Sequence, residues 1–209
     1  MSPWARIGTV LVATAALAAP LRSQEPATPV VAPVAQAQPL PGDSLYQLDI
    51  ALQGADGAAF RLAELRGRPL LVTMFYSHCA AVCPMLTAQV QRLFGSLPAA
   101  ERAPLRVLMV SFDSALDTPQ ALREFRAEHH IADANWITAR AEAADVRTLA
   151  AALGIQYREL PDHTFNHSTV ISVADPEGTV RARTSELNGP APAFVAAVRE
   201  QLATRPLRP

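Results

Sequence analysis

The 209-residue chain contains no lysine: all eighteen of its basic residues are arginine, set against nineteen acidic ones for a formal net charge of −1. The arginines are scattered, with no basic run or stripe, so the chain lacks the electrostatic footprint of a nucleic-acid binder or of a protein held on an anionic membrane surface. The missing lysine reflects genome composition rather than function. Cysteine is almost as scarce. Two residues, Cys79 and Cys83, allow one disulfide at most and cannot build a four-cysteine zinc site. No internal repeat is evident, and the apolar run Ile7 to Ala19 falls short of the ~20 residues that a membrane span needs. What the chain does have is apolar bulk: half of its residues, enough for the core of one domain plus appendages.

The N-terminus reads as an address. Arg6 precedes the small-residue apolar run, and Ala16-Leu17-Ala18 fits a cleavage site, so residues 1–23 are expected to be a signal peptide or N-terminal anchor. No cysteine follows that site, which argues against a lipid-modified terminus. Residues 24–43 shift to Pro, Ala, Gln and Val, with Pro26, Pro29, Pro33, Pro39 and Pro41, the composition of an extended linker. A folded domain is then expected over residues 44–204.

Within the domain, Tyr46 to Leu52 alternates as a strand does. The Asp56-Gly57 turn signal and the return strand Phe60 to Leu62 complete an N-terminal hairpin. Leu70 to Tyr76 is nearly all apolar, as suits a central strand covered on both faces. Pro84 fits a first helical turn, and Leu86, Val90, Leu93, Phe94 and Leu97 follow at helical spacing. The alternation repeats with a strand over Arg106 to Phe112 and a helix over Thr118 to His129, capped by Asp117 or Thr118. A short strand over Trp136 to Thr138 precedes a helix ended by Gly154. Thr169 to Ala174 and Val180 to Thr184 flank the turn Asp175-Pro176-Glu177-Gly178, and Phe194, Val195, Val198 and Leu202 mark a closing helix. The class is α/β, with a mixed central sheet flanked by helices.

Both cysteines lie in Phe75-Tyr76-Ser77-His78-Cys79-Ala80-Ala81-Val82-Cys83-Pro84, where the apolar strand gives way to a helix. A strand-to-helix turn sets thiols at the open edge of a sheet beside the positive end of a helix dipole, which favours thiolate. Thiolate binds soft metals or attacks disulfides. In an exported protein the ordinary fate of two cysteines is a disulfide, but a loop this short gives a stabilising bridge little to gain. Spacing alone leaves these uses open. Sulfurs at i and i+4 can share one face, and a thiolate pair with an imidazole favours Cu(I). His78 or His163 could add a fourth ligand for zinc. His129, His130 and Asp133 read as an exposed helix end, Asp113 as a turn residue, and Met74, Met85 and Met109 as apolar-pattern residues, of which only Met85 is near the cysteines.

Three blocks in order resemble the Sco/SenC family of copper-binding, thioredoxin-like proteins: Phe75 to Pro84, then Ser111-Phe112-Asp113-Ser114-Ala115-Leu116-Asp117-Thr118-Pro119, then Asn166-His167-Ser168 with Asp175-Pro176-Glu177-Gly178. The resemblance implies a thioredoxin-like fold in which Cys79, Cys83 and His167 bind one copper ion, as Cu(I) or Cu(II). It implies delivery of copper to, or reduction of, the copper site of a terminal oxidase in cytochrome c oxidase assembly. The expected partner is the copper-site subunit of that oxidase or another copper carrier. The expected location is periplasmic or otherwise extracytoplasmic, soluble or tethered to the inner membrane, as a monomer. The family commonly has Asp where this chain has Asn166, Pro where it has Ala80, and often Pro where it has Ser114; the first change removes a carboxylate next to His167. The alternative on the same residues is a periplasmic thiol–disulfide reductase or thiol peroxidase, with Cys79 and Cys83 as the redox pair.

Overall fold

The computed structural model describes residues 39–79, 82–189 and 192–203. The expected leader, and the linker up to residue 38, lie outside the described residues. Among the described residues no helix is long and apolar enough to cross a membrane.

Nine strands are described: β1 Ala51–Gly54, β2 Ala59–Arg61, β3 Leu70–Phe75, β4 Arg106–Ser111, β5 Trp136–Ala141, β6 Tyr157–Glu159, β7 Phe165–His167, β8 Ile171–Ala174 and β9 Val180–Thr184. Seven form one sheet in the order β2-β1-β5-β4-β3-β8-β9, while β6 and β7 pair as a separate ribbon. β3 runs parallel to β4, and β4 parallel to β5; β8 lies antiparallel to β3, and β1 antiparallel to β5. The mixed sheet and the N-terminal hairpin are as expected. All six residues of β3 are buried, so both faces of the sheet are covered at its centre.

The helices are α1 Val82–Ser96, α2 Ala99–Arg102, α3 Pro119–Glu128, α4 Ala143–Leu153 and α5 Pro192–Ala203. Pro84 is the third residue of α1, where its missing N–H would have had no helical partner. From there Leu86, Val90, Leu93 and Phe94 form the buried stripe. Thr118 caps α3 by accepting from the Ala121 N–H at 3.2 Å, and Phe125 of that helix meets Phe75 of β3 with ring centroids 4.4 Å apart. Gly154 ends α4 in a left-handed conformation at φ +71°.

Several elements differ from the sequence pattern. The alternation over Tyr46 to Leu52 is not one strand. Leu45–Gln47 is a 3₁₀ turn because the Ser44 hydroxyl captures the Tyr46 N–H at 3.1 Å, and pairing starts only at Ala51. β5 continues to Ala141, three residues past the expected Thr138, because its far half pairs with β1. The short α2 and the β6–β7 ribbon carried no legible signal. Residues 39–43 already touch the domain: Leu40 packs against the core, and the Pro41 carbonyl accepts from the Ser44 N–H at 3.1 Å.

The Asp175–Gly178 turn fastens the start of the domain to the β8–β9 hairpin. Asp175 Oδ1 accepts from the N–H groups of Glu177 and Thr179 at 2.9 and 3.0 Å, and the Gly178 carbonyl accepts from the Leu45 N–H at 2.9 Å. Gly178 has φ +88°, and a Cβ there would stand 2.6 Å from the Tyr46 ring and 2.7 Å from the Ser44 hydroxyl. Gly178→Ala therefore combines left-handed strain of about 1–2 kcal/mol with local overpacking. Chemical denaturation of the variant should show a loss of roughly 2–4 kcal/mol; a loss under 0.5 kcal/mol would mean that the Tyr46 ring yields freely.

Candidate metal centre

Strand polarity decides which residues meet. β3 and β4 are parallel, so their C-terminal ends, leading to Cys79 and to Phe112-Asp113, lie at one edge of the sheet. β8 is antiparallel to β3 and pairs Ile171 with Thr73, so its N-terminal end, just after His167, reaches that same edge. The Thr73 hydroxyl donates to the Val170 carbonyl at 2.7 Å and holds this approach. The carboxyl edge of a parallel sheet is the usual place for ligand sites.

The β6–β7 ribbon carries His167 over the cysteines. Tyr157 pairs with His167, and the ribbon is closed at its base by Ser168, whose N–H donates to the Gln156 carbonyl at 2.8 Å and whose hydroxyl accepts from the Gln156 N–H at 3.0 Å. Phe112 lies against the imidazole with centroids 4.9 Å apart, and Tyr76 meets it edge-on at 6.1 Å. His167 Nδ1 lies 3.2 Å from the Ser168 carbonyl, to which it donates in the tautomer that leaves Nε2 as a lone pair. Burial holds the imidazole pKa below its ordinary value, opposed by that hydrogen bond, so the neutral ligating form prevails at neutral pH.

Cys79 Sγ, Cys83 Sγ and a His167 nitrogen all lie within 4.8 Å of one another, and Cys83 Sγ is 4.0 Å from His167 Nε2. Among the described residues this is the one group of three or more His, Cys, Asp or Glu side chains close enough to hold an ion. Both cysteines are thiols. Both are buried, Cys83 completely in the first turn of α1 and Cys79 with 9% exposure. The Cys83 N–H donates to Cys79 Sγ at 3.3 Å. The expectation that the helix start would favour thiolate fails at Cys83. Burial pushes that thiol up strongly, outweighing a hydrogen bond from the Tyr76 N–H, and neighbouring Cys79 and the Asp117 charge push the same way. A cation entering here must displace the Cys83 proton.

Asp117 does more than the helix capping expected of it. Its fully buried carboxylate accepts from the Ser77 N–H at 2.9 Å, from the Ser77 hydroxyl and from the Ser111 hydroxyl. It thus ties the cysteine loop to the end of β4, while Thr118 does the capping. Asp113 is the turn residue expected, with Oδ1 accepting from Ala115 and Leu116 N–H groups at 3.0 and 2.8 Å.

The remaining candidates stand apart from the group. His78 is exposed, with Nδ1 2.9 Å from the Ser77 hydroxyl and 3.7 Å from Asp117. His163 sits between β6 and β7 with Nδ1 2.9 Å from Glu159. The His129 ring lies on Phe125, and Asp133 accepts from the Asn135 N–H. Met74 and Met109 are core residues; Met85 is exposed beside Leu187 and Asn188. Asn166 is exposed while its neighbour His167 is half-buried, because successive side chains of β7 face opposite ways. The imidazole is oriented by the Ser168 carbonyl, so the change from Asp to Asn falls on the outer face of the ribbon.

Comparison with known proteins follows these blocks. The profile of the SCO1/SenC family matches residues 41–203. A protein of Stutzerimonas stutzeri described as copper-binding is 28% identical over 126 residues, which is 58% of this chain and 60% of that one. The SCO1 protein homolog of Bacillus subtilis is 31% identical over 92 residues, 44% of this chain and 47% of the relative. The chain thus spans about half the length of these curated relatives. Among solved structures, Bradyrhizobium japonicum ScoI with copper bound shares the fold at a TM-score of 0.62, with 18% identity over 73% of this chain and 96% of that one.

The Asp117 anchor has a measurable consequence. Asp117→Ala leaves buried donors without their acceptor and should lower unfolding free energy by about 2–4 kcal/mol. It should also open the cysteine loop, so that Cys83 in the reduced native protein reacts faster with iodoacetamide. Wild-type stability together with wild-type Cys83 reactivity would show that Ser77 is held by something other than Asp117.

Proposed function

This chain belongs to the SCO1/SenC family, and from that premise we propose that it is an extracytoplasmic copper chaperone. Cys79, Cys83 and His167 hold one copper ion as cargo and pass it to the copper site of a terminal oxidase or to another carrier. The observation that carries this reading is the convergence of two thiols and one neutral imidazole within 4.8 Å. Metal–ligand bonds of roughly 2.0–2.3 Å, the range for zinc on such donors, set three trigonal ligands roughly 3.5–4 Å apart. The group needs only a small contraction to close on an ion.

The donor set favours Cu(I). Two thiolates and an imidazole suit a soft cation in three-fold coordination, whereas a structural zinc site calls for a fourth ligand, and His78 and His163 are both engaged elsewhere. Similarity to relatives described as copper-binding or solved with copper supports the same choice. Cys79 keeps 9% exposure and Cys83 none, so ligand exchange begins at Cys79. Residues 1–23 direct the chain out of the cytoplasm and residues 24–43 lead into the domain, which acts as a monomer.

An anaerobic Cu(I) titration of the full reduced chain against a competing chelator tests this reading. One ion should bind, and His167→Ala should weaken its affinity at least tenfold. A chain that takes no copper from the competitor would overturn the chaperone reading. Turnover of a small disulfide or of peroxide by Cys79 and Cys83 would then identify the reductase or peroxidase alternative.

A further inference from the structure

β5 runs parallel to β4, so its first residues lie at the pole of the sheet away from the cysteines. β1 pairs only with Ala139 to Ala141, and the chain turns away where the Ala55 N–H meets the Thr138 carbonyl at 3.1 Å. Trp136 and Ile137 therefore have no strand beside them there, and a notch of about 550 Å³ is left. Three half-buried arginines line it: Arg68 before β3, Arg106 at the start of β4 and Arg126 on α3. Arg68 donates to the Pro104 carbonyl and to Asn135 Oδ1, both at 2.9 Å, and to the Ala103 carbonyl. Arg126 donates to the Trp136 carbonyl, and Arg106 to the Glu64 carbonyl at 3.4 Å. Each acceptor is a neutral oxygen, and among the described residues none of the three guanidiniums forms an ion pair. Burial lowers the pKa of Arg68 and of Arg126; the Arg106 charge adds to this at Arg68, while Asp133 and Asp56 oppose it at Arg126.

The two carboxylates on the lining are turned to the backbone, Asp56 to the Ala58 N–H at 3.0 Å and Glu64 to the Arg61 N–H at 2.8 Å. Three cations against two carboxylates leave the notch one positive charge in excess. Two more polar groups there lack a partner. Trp136 and Thr138, 4% and 1% exposed, both line the notch, and neither the indole N–H nor the Thr138 hydroxyl has a hydrogen bond. Buried polar groups are ordinarily satisfied.

We propose that this notch binds a small organic monocarboxylate, with Arg106 and Arg126 holding the carboxylate. Arg106 and Arg126 each commit one donor to a carbonyl and keep the others of a planar fork that matches a carboxylate. The volume falls within the roughly 300–1,000 Å³ of small-molecule sites. One excess positive charge selects a singly charged acid. Phe60, Leu65 and Ile137 on the lining select an apolar body over a bare phosphate. The site lies across the sheet from Cys79, Cys83 and His167, so it is separate from the metal centre.

Isothermal titration calorimetry of the full, metal-free chain with hexanoate tests the proposal, and without metal its outcome is independent of the copper reading. Hexanoate should bind one-to-one with a Kd near or below about 1 mM, as suits a ligand of its size. Inorganic phosphate, which lacks the apolar body, and 1-hexanol, which lacks the charge, should each bind at least about tenfold more weakly. Arg106→Gln and Arg126→Gln should each weaken hexanoate roughly tenfold. Arg199→Gln, on α5 and outside the notch, should leave its affinity unchanged. A second readout needs no change in the notch. The chain has two tryptophans, Trp4 and Trp136, so in Trp4→Phe the emission of Trp136 should change with the calorimetric half-saturation. No saturable heat with hexanoate would overturn the proposal. So would phosphate binding as tightly as hexanoate, or a loss in Arg199→Gln equal to that in Arg106→Gln, since either would mean general attraction of anions.

Discussion

The antiparallel pairing of β8 with β3, set beside the parallel pairing of β3 with β4, is the constraint from which the rest of the structure follows. Reversing β8 relative to its neighbour turns its N-terminal end toward the edge where β3 and β4 finish. His167 and Cys83 are 84 positions apart in the chain, yet this register leaves only a short ribbon to bridge them. Had β8 run parallel, the histidine block would have emerged at the opposite edge. The Thr73 hydroxyl bonded to the Val170 carbonyl at 2.7 Å holds the approach of β8 to β3.

At that edge the loop carrying the cysteines leads directly out of the core, and both side chains are buried. Cys83 is fully enclosed and desolvation pushes its thiol up, while Cys79 keeps 9% exposure. The rings of Tyr76 and Phe112 lie against the imidazole, and Phe165 packs on both of them. Polar groups behind them fix the frame: Asp117 under Ser77, and Ser168 beneath the ribbon. Soft-metal binding in such a place depends on geometry more than on charge, in keeping with a neutral imidazole and with thiols that lose their protons only on binding.

The two halves of the site are built differently. The cysteine half is local: a buried strand ends, a turn follows, and a helix begins, all within fourteen residues of one continuous segment from Leu70 to Cys83. The histidine half is borrowed from a ribbon outside the main sheet, held by a pairing of three residues with three, by its serine clamp and by the packing of Tyr157 on Phe112 and of Phe165 on Tyr76.

Much was legible in the sequence. The β3 run, the helical stripe after Pro84, the Thr118 cap, the Gly154 stop and the β8–β9 turn each rest on interactions between near neighbours, so pattern alone located them. The three motif blocks named the group Cys79, Cys83 and His167. Long-range contacts were not legible. The Ser44 hydroxyl that turns Leu45–Gln47 away from a strand is oriented by Gly178 and Glu177, far along the chain. The extension of β5 depends on a partner strand supplied by the N-terminal hairpin. Asp117 looked like a cap because its reach to Ser77 spans forty positions. The sequence by itself determined the local elements and, through the three motif blocks, the side chains that converge at the sheet edge, since those follow from residue type and near-neighbour pattern. Only the tertiary structure decided that both cysteines are buried, that His78 and His163 are turned elsewhere, and that the rings of Tyr76 and Phe112 lie against His167, because burial and side-chain partners depend on which distant strands come to lie side by side.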